Sequence, residues 1–389
     1  MKLVPLFLSF ISVVGCLFSL SAQEYPSSYY ELSPDGRTLL FWKGDTAVVN
    51  LALDPSLGRI DSIADFAFAH RDSLGNVIPD YTIEELILPH SLRSVGYMAF
   101  WCRNLRHLQL NEGLEFLDQA TLCEAPLSSL DIPSSLRMLS GAIYRCYNLE
   151  WLRFGKKSIY YTLVEGVLLS PLSHSVTFYP SARLSESYVV PEGSSIIDFR
   201  AFAGSRFLSR LYLAEGVEVI EKEAMSDCVS LRLVDFPSTL KSLANDALVG
   251  SSIDTLVFRS LFPPQVEGTL RMENCRPVVL IVPDESLSLY AHYKPLQGVY
   301  ETILPLSEMP EEWQAYKGAG EPQSRPFVVV GQQLVIELPE EGMEARVFNK
   351  EGEQKAFFRN SGSYTLSPGV YTLLLGGKSY KLVIPAIPM

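Results

Sequence analysis

The chain has 389 residues, of which 47% are hydrophobic and 20% are charged. This composition is typical of a packed globular protein and argues against an intrinsically disordered chain. The formal net charge is −12 at pH 7. Because a nucleic-acid-binding surface needs an excess of basic residues, no nucleic-acid partner is expected. The length leaves room for one long repeat domain and a small second domain.

Residues 1–22 are typical of a signal peptide. One lysine precedes an apolar run over residues 3–20, and small residues end the segment at Ala22. The run is also long enough for a transmembrane anchor, but its N-terminal position and the polar sequence that follows favour cleavage. A third interpretation is a lipoprotein acylated at Cys16, because Val13-Val14-Gly15-Cys16 resembles a bacterial lipobox. We expect no transmembrane segment after the signal is removed, since no later apolar run is long enough.

Residues 23–56 are predicted to form a β cap in front of a repeat array. Turn signals at Pro34-Asp35-Gly36 and Lys43-Gly44-Asp45 separate short runs of β-forming residues. A repeat array needs such a cap because its terminal unit otherwise exposes its core to water.

One sequence pattern is written three times in succession, in copies that start at Leu92, Leu114 and Leu136. The period is 22 residues, and each copy contains an L-x-x-L-x-L core. This pattern predicts a leucine-rich repeat solenoid, in which stacked units bury one continuous core. A first copy, interrupted by a polar insertion at residues 69–82, precedes these three. The insertion is expected to loop out on one face, as a binding element or a plain surface loop. Repeats 1–4 thus occupy residues 57–158.

The offsets within the copies predict which side chains fill the tight turn of each coil. Ala99-Phe100 aligns with Thr121-Leu122 and with Ile143-Tyr144, so the second residue of each pair is expected in the core. Thr121-Leu122 and Ile143-Tyr144 replace Ala-Phe in the last two copies. These replacements are expected to change the packing of the turn more than the type of repeat.

Five cysteines remain after signal cleavage: Cys102, Cys123, Cys146, Cys228 and Cys275. Cys102 and Cys146 are two repeats apart, too far for a disulfide if neighbouring rungs are about 4.8 Å apart. Two interpretations remain for Cys102 and Cys123: a disulfide between them, or thiols that are buried and free. Zinc is not expected, because the chain has no C-x-x-C or Cys/His cluster.

The repeat rhythm breaks at residues 159–195, where β-rich runs around Val167, Thr177 and Tyr188 are separated by prolines. We expect two or three strands inserted into the solenoid without ending it. Repeats 5–7 and a closing segment then occupy residues 196–307.

The remaining chain differs in composition. Residues 308–325 are rich in Glu, Pro, Gly and Gln, and are predicted to be a linker. Residues 326–389 contain short β-forming runs separated by Gly and Pro turns, which predict a small β-sandwich. The chain as a whole is expected to be mainly β: a leucine-rich repeat solenoid of about seven repeats with a β insertion, followed by that sandwich.

The turn motif resembles that of a known family. Ala99-Phe100-Trp101-Cys102-Arg103-Asn104-Leu105 is similar, one residue short, to the A-F-x-x-C-x-x-L motif of BspA-like leucine-rich repeats of bacterial surface proteins. Residues 201–208 and 224–231 keep the full spacing. Family members are exported, non-enzymatic and adhesive, so the resemblance implies a cell-surface protein that adheres to or recognises a host or bacterial surface protein. A glycan is a second class of partner.

Residues 349–352 and 368–371 have a weak similarity to the C-terminal sorting domain of type IX secretion. The chain ends without the basic tail of that domain, and an immunoglobulin-like module is the alternative interpretation.

The residues between the repeated leucines of each strand should point away from the core, because strand side chains alternate. An aromatic and basic patch is predicted at these positions, and such side chains are enriched in protein-binding hot spots. The predicted ligand-binding residues are His107, Trp151, Arg153, Arg210 and Tyr212. The alternative is an ordinary solvated face partly covered by residues 159–195, with Trp151 in the core.

No enzymatic motif is present. The sequence contains no G-x-G-x-x-G, P-loop, H-E-x-x-H or G-x-S-x-G pattern, and its five histidines lack metal-ligand spacing. We expect no enzyme, no cofactor and no metal, although folding could still assemble an unrecognised hydrolase. The predicted function is an exported protein-binding scaffold, and the alternative is a structural component of an envelope assembly such as a fimbria or outer-membrane complex.

Overall fold

The computed structural model describes residues 24–272, 278–310, 313, 327–330, 333–336, 344–349, 353–359, 362–375 and 378–384. The predicted signal peptide with Cys16, the thiol of Cys275 and most of the predicted linker lie outside the described residues. No helix within these ranges combines the length and the apolar character that crossing a bilayer requires.

Short strands separated by turns form the N-terminal cap and the solenoid. In chain order the strands are β1 (Tyr30–Leu32), β2 (Thr38–Trp42), β3 (Val48–Asn50), β4 (Ser62–Ile63), β5 (His70–Arg71), β6 (Val77–Ile78), β7 (Glu85–Ile87), β8 (Ser94–Val95), β9 (His107–Gln109), β10 (Phe116–Leu117), β11 (Leu122–Cys123), β12 (Ser129–Ile132), β13 (Ile143–Tyr144), β14 (Trp151–Phe154), β15 (Thr162–Val164), β16 (Val167–Ser170), β17 (Ser175–Phe178), β18 (Ser187–Val189), β19 (Ile196–Ile197), β20 (Arg210–Tyr212), β21 (Val219–Ile220), β22 (Leu233–Phe236), β23 (Ser242–Leu243), β24 (Thr255–Phe258), β25 (Val278–Val282) and β26 (Tyr300–Pro305). The helix α1 (Leu287–Ala291) lies between β25 and β26. Short 3₁₀ helices span Ser27–Tyr29, Leu51–Leu53, Leu57–Arg59, Asp284–Ser286, Lys294–Leu296 and Leu306–Glu308.

An antiparallel hairpin of β1 and β2 closes the N-terminal end, and β2 pairs in parallel with β4, the first short strand of the solenoid. The Pro34-Asp35-Gly36 turn joins the two strands, with Gly36 in the left-handed region at φ 71°. Trp42 is buried and stacks on Phe68, with ring centroids 6.0 Å apart. The cap thus shields the first coil of the core from water.

The longer strands form one side of the solenoid, called here the long side. Eleven strands occupy successive rungs in parallel sheets of three (β3, β7, β9), two (β12, β14) and six (β18, β20, β22, β24, β25, β26) members. The repeated leucines point inward: Leu86, Leu130 and Leu211 are all buried. The period-22 pattern therefore predicts the solenoid and its core leucines correctly.

The two-residue strands form the opposite side, the short side, in which β4, β8 and β10 pair in parallel, as do β17, β19, β21 and β23. The tight turn that follows places a non-glycine residue in the left-handed region at one repeated offset. These residues are Phe66, Met98, Ala120, Arg200 and Glu223, with φ between 48° and 59°. Each such residue costs about 1 kcal/mol or more, which the packing of the two buried residues that follow it offsets.

The turn of the fourth repeat corrects one sequence expectation. Leu122 pairs with Ile143 rather than with Tyr144, so the register is one residue out of step with the 22-residue alignment. Ala142 and Ile143 fill the core in its place. Tyr144 lies outside the core, only half-buried, because the slip turns its ring toward the surface.

The inserted segment forms one more coil with an added hairpin. The sequence predicts two or three strands there; β16, β17 and β18 form at the three predicted runs, and β15 precedes them as a fourth. Strand β17 pairs with β19 on the short side and β18 pairs with β20 on the long side. The hairpin of β15 and β16 turns at Glu165-Gly166, both with positive φ, as a two-residue hairpin loop requires.

The closing segment seals the C-terminal coils. Tyr290 of α1 is fully buried, and its hydroxyl donates to the carbonyl oxygens of Ser260 and Phe262 at 2.9 and 3.2 Å. After β26 the chain folds back over the outer face of the long side. There Met309 is buried in a cluster with Val257 and Ile281, and Trp313 packs against it.

The described C-terminal strands are β27 (Phe327–Val330), β28 (Gln333–Ile336), β29 (Ala345–Asn349), β30 (Gln354–Phe358), β31 (Gly362–Thr365), β32 (Gly369–Leu375) and β33 (Lys378–Ile384). They form two antiparallel sheets, one of β27, β28 and β31 and one of β30, β29, β32 and β33. The β-sandwich and its sorting or immunoglobulin-like role stay predictions.

Candidate functional site

The outer face of the long side is exposed along β9, β12 and β14. His107, Gln109, Asp131 and Arg153 are all exposed there. Trp151 is half-buried, and its indole N–H donates to the Glu150 carboxylate at 3.2 Å. An indole ring with one open edge beside an exposed guanidinium offers both apolar contact and charge to a partner.

The same face is covered further along the solenoid. Leu233, Thr255 and Val257 point outward from the coil, yet they are no more than 3% exposed. Three side chains that follow β26 pack over this part of the sheet and exclude water from it. They are Leu306, Met309 and Trp313, called here the covering residues. The open part of the outer face is therefore the part formed by the earlier repeats.

The five predicted binding residues share this face but lie in separate groups. Trp151 and Arg153 lie together on β14, and Ser129 and Asp131 of β12 are directly beside them. His107 is on β9, beyond β12.

The other two predicted residues are on β20, with β18 between them and β14. Arg210 is exposed, whereas Tyr212 is only 7% exposed. Tyr212 can therefore offer a partner little of its surface.

A buried ion pair lies next to Tyr212. Asp235 is paired with Tyr212 across the sheet and is 4% exposed. The Arg259 guanidinium donates two hydrogen bonds to its carboxylate, at 2.8 and 2.6 Å. Burial raises the pKa of Asp235, and Arg259 opposes that rise by stabilising the charged form. Arg259 neutralises the carboxylate of Asp235 in the covered part of the face. The pair therefore stabilises the fold and is not available to a partner.

A pocket of about 320 Å³ opens at the edge of the covered region. Three successive rungs line it, and Trp313, one of the covering residues, forms one wall. The lining residues are Ser209, Arg210, Arg232, Leu233, Asp254, Thr255 and Trp313. The sequence indicates Arg210 as a site residue but does not predict the pocket, because nothing in the repeat pattern shows that Trp313 returns to this face.

The insertion at residues 69–82 is a hairpin of β5 and β6 anchored by a buried carboxylate. Asp80 is fully buried, and one of its oxygens accepts hydrogen bonds from the backbone N–H groups of Thr82 and Ile83 at 2.8 and 2.7 Å. The other oxygen lies 2.5 Å from Nε2 of His70. This arrangement fixes the hairpin on the solenoid.

The described cysteines are free and buried. Burial raises the pKa of Cys146 and of Cys228 to about 12, and that of Cys123 to about 11. Thiols in this state are poor nucleophiles, because the thiolate is the reactive form. Within the described ranges, no three His, Cys, Asp or Glu side chains come together as metal ligands.

Six copies of the BspA type leucine-rich repeat match this chain, over residues 79–163 and 174–263. None of the curated proteins matches it in sequence. Among solved structures, the chain is similar to the pneumococcal vaccine antigen PcpA, with 17% identity and a TM-score of 0.47 over 71% of this chain and 82% of the antigen.

It is also similar to a leucine-rich cell surface protein of Faecalibacterium prausnitzii, with 15% identity and a TM-score of 0.42 over 77% of this chain and 99% of that one. A leucine-rich repeat protein of Eubacterium ventriosum is 15% identical, with a TM-score of 0.45 over 70% and 82% of the two chains. The repeated turn motif, the stacked coils and the six matched copies have one common explanation: the repeat region of this chain, over residues 79–163 and 174–263, belongs to the BspA type leucine-rich repeat family.

Proposed function

We propose that this protein is an exported, non-enzymatic scaffold that binds a host or bacterial surface protein through the open outer face of its long side. The observation that carries the proposal is the exposure of His107 and Arg153, with the half-buried Trp151 beside Arg153, on a face whose later part is covered by the chain itself. Arg210 extends the same face toward the covered part.

The composition of this face supports protein binding. Trp and Arg are the side chains most enriched among the residues that dominate binding energy at interfaces. The solenoid holds Trp151 and Arg153 on one paired strand, β14, so their backbone loses little conformational entropy when a partner binds. The residues that differ between repeats, rather than the repeated leucines, would then set the specificity.

The export part of the proposal rests on residues 1–22 and on the family of the repeats. A structural role in an envelope assembly remains the alternative function. The two differ in their partners, since an adhesin captures proteins of a host or another bacterium, and an assembly component captures envelope proteins of its own cell.

Protease shaving of intact cells tests the location, and a binding screen tests the function. The mature chain is screened against host matrix proteins, surface proteins of other bacteria and envelope proteins of the same cell. We expect Trp151→Ala and Arg153→Ala each to weaken the binding found by about tenfold or more.

Matched controls are available on the short side, where Phe116 is 40% exposed and the side chain of Arg137 is 52% exposed. Phe116→Ala and Arg137→Ala should leave the binding unchanged. Equal losses for the two pairs of variants, or losses for neither, would refute the proposed face.

A further inference from the structure

We propose that the 320 Å³ pocket beside Trp313 binds an acidic sugar residue, a hexuronate or a sialic acid, carried on a surface glycan. This inference rests on the proposed role in surface recognition and gives one class of ligand to a second site on the same face. Pockets of this size lie at the lower end of the range for small-molecule sites, which suits a single sugar residue.

The charge of the pocket favours an anion. Two guanidinium groups, of Arg210 and Arg232, and one carboxylate, of Asp254, line it in a chain whose net charge is −12. Arg232 is fixed in place, because it donates a hydrogen bond to the carbonyl oxygen of Ser252. Arg210 is exposed and has no ion-pair partner among the residues that the structure describes. A ligand carboxylate can accept parallel hydrogen bonds from such a group.

The remaining lining residues favour a sugar over a peptide carboxylate. The indole of Trp313 offers a flat apolar wall, against which the C–H face of a pyranose ring can stack. One oxygen of Asp254 accepts a hydrogen bond from the Thr255 hydroxyl at 3.1 Å. The other Asp254 oxygen can accept from ligand hydroxyls, and the Ser209 hydroxyl can donate or accept. A peptide C-terminus would satisfy the arginines, but it carries neither sugar hydroxyls for Asp254 nor a pyranose face for Trp313.

The three rungs that line the pocket also match a sugar in size. Arg210, Leu233 and Thr255 are paired across consecutive parallel strands, β20, β22 and β24. Such strands are about 4.8 Å apart, so the rungs span about 10 Å. Leu233 is buried and forms an apolar floor between Arg210 and Thr255.

The test is a calorimetric titration of the mature full chain with two acidic probes, methyl glucuronide and the methyl glycoside of N-acetylneuraminic acid. Methyl glucoside is the neutral match of the glucuronide, since only the carboxylate differs. An N-acetylated dipeptide with a free C-terminus is the non-sugar anion. We expect at least one acidic glycoside to bind, and which one binds identifies the source of the ligand. We expect the glucoside and the dipeptide not to bind.

Arg210→Gln should lower the affinity for the acidic sugar by about tenfold or more, since it removes a hydrogen bond to a charged group. Trp313→Phe keeps an aromatic side chain among the covering residues and should weaken it less. Arg137→Gln, on the short side and outside the pocket, should have no effect on sugar binding.

Three results would each overturn the inference: binding of the glucoside as tight as that of the acidic sugar, binding of the dipeptide as tight as that of the acidic sugar, or an unchanged affinity for the acidic sugar in Arg210→Gln. If surface-protein binding depends on Trp151 while no acidic sugar binds, this inference fails and the proposed function stands. If an acidic sugar binds and no surface protein is captured, the pocket inference stands and the proposed protein-binding face fails.

Discussion

The guanidinium carbon of Arg200 lies 3.9 Å from the ring centroid of Tyr144. These residues belong to the repeats before and after the inserted coil, so their turns pack directly on each other at this edge. Arg200 also forms an ion pair with Glu223 at 2.7 Å. The contact links the repeats on either side of the inserted coil.

A double-mutant cycle on this pair should reveal its contribution. Tyr144→Ala and Arg200→Met are each expected to lower the free energy of unfolding, with a coupling of about 1 kcal/mol for a partly buried cation–π contact. Urea unfolding of the four proteins measures the coupling. A coupling of zero would mean that the two turns pack without depending on this contact.

Asp80→Ala should lower the free energy of unfolding by about 3 kcal/mol. The substitution leaves the backbone N–H groups of Thr82 and Ile83 buried without an acceptor, and removes the partner of His70. Asp131→Ala, at an exposed position on β12, is the control and should change the free energy by less than about 0.5 kcal/mol. Chemical denaturation compares them, and similar values for both variants would contradict the anchoring role of Asp80.

The Asp235–Arg259 pair gives a pH-dependent prediction. The pKa of Asp235 is raised in the folded state. The stabilising contribution of this group to the free energy of unfolding is therefore fully present below its unfolded pKa of about 4. It is lost as the pH rises through the folded pKa. Arg259→Met leaves the charge buried without a partner, and should therefore destabilise the protein by about 3 kcal/mol at neutral pH.

At about pH 4 the loss should be smaller, because Asp235 then takes up a proton. Free energies of unfolding of the parent protein and of Arg259→Met, measured from about pH 4 to neutral pH, test whether the destabilisation becomes smaller at low pH. The double variant Asp235→Asn with Arg259→Met should show no such pH dependence, and an equal loss at both pH values in Arg259→Met would exclude this explanation.

The buried thiols should be inert in the folded chain. In a Cys275→Ser background, a thiol reagent such as dithionitrobenzoate is expected to label Cys102, Cys123, Cys146 and Cys228 only after unfolding in urea. Counting labelled thiols with and without denaturant provides the measurement. Rapid labelling of any of these four in the native protein would show that the coils open there.

The repeat period predicts the core because each coil must bury the same positions. Leu92, Leu105 and Leu149 follow it and are fully buried. The repeat period makes a wrong prediction at Tyr144. Ile143 and Tyr144 are both apolar, and the period alone does not show which of them fills the turn. The slip follows from Ala142, which is small enough to take the tight position in the core.

The site is harder to predict than the fold. The outward direction of Leu233 and Val257 follows from strand alternation, but their burial depends on the covering residues. Residues 308–325 have the composition of a linker, and only the spacing of Met309 and Trp313, four residues apart, signals that the segment packs on something. Tyr212 is predicted as a binding residue from its residue type alone. Residue type does not show whether other side chains cover a position, and Tyr212 is buried in the structure.

The most direct test of the proposed function is hydrogen–deuterium exchange of the mature chain, alone and with the surface protein that it captures. If the open outer face binds the partner, the amides of β9, β12 and β14 become protected, and those of β8 and β10 on the short side do not. Protection confined to the short side or to residues 327–384 would contradict the proposed binding face.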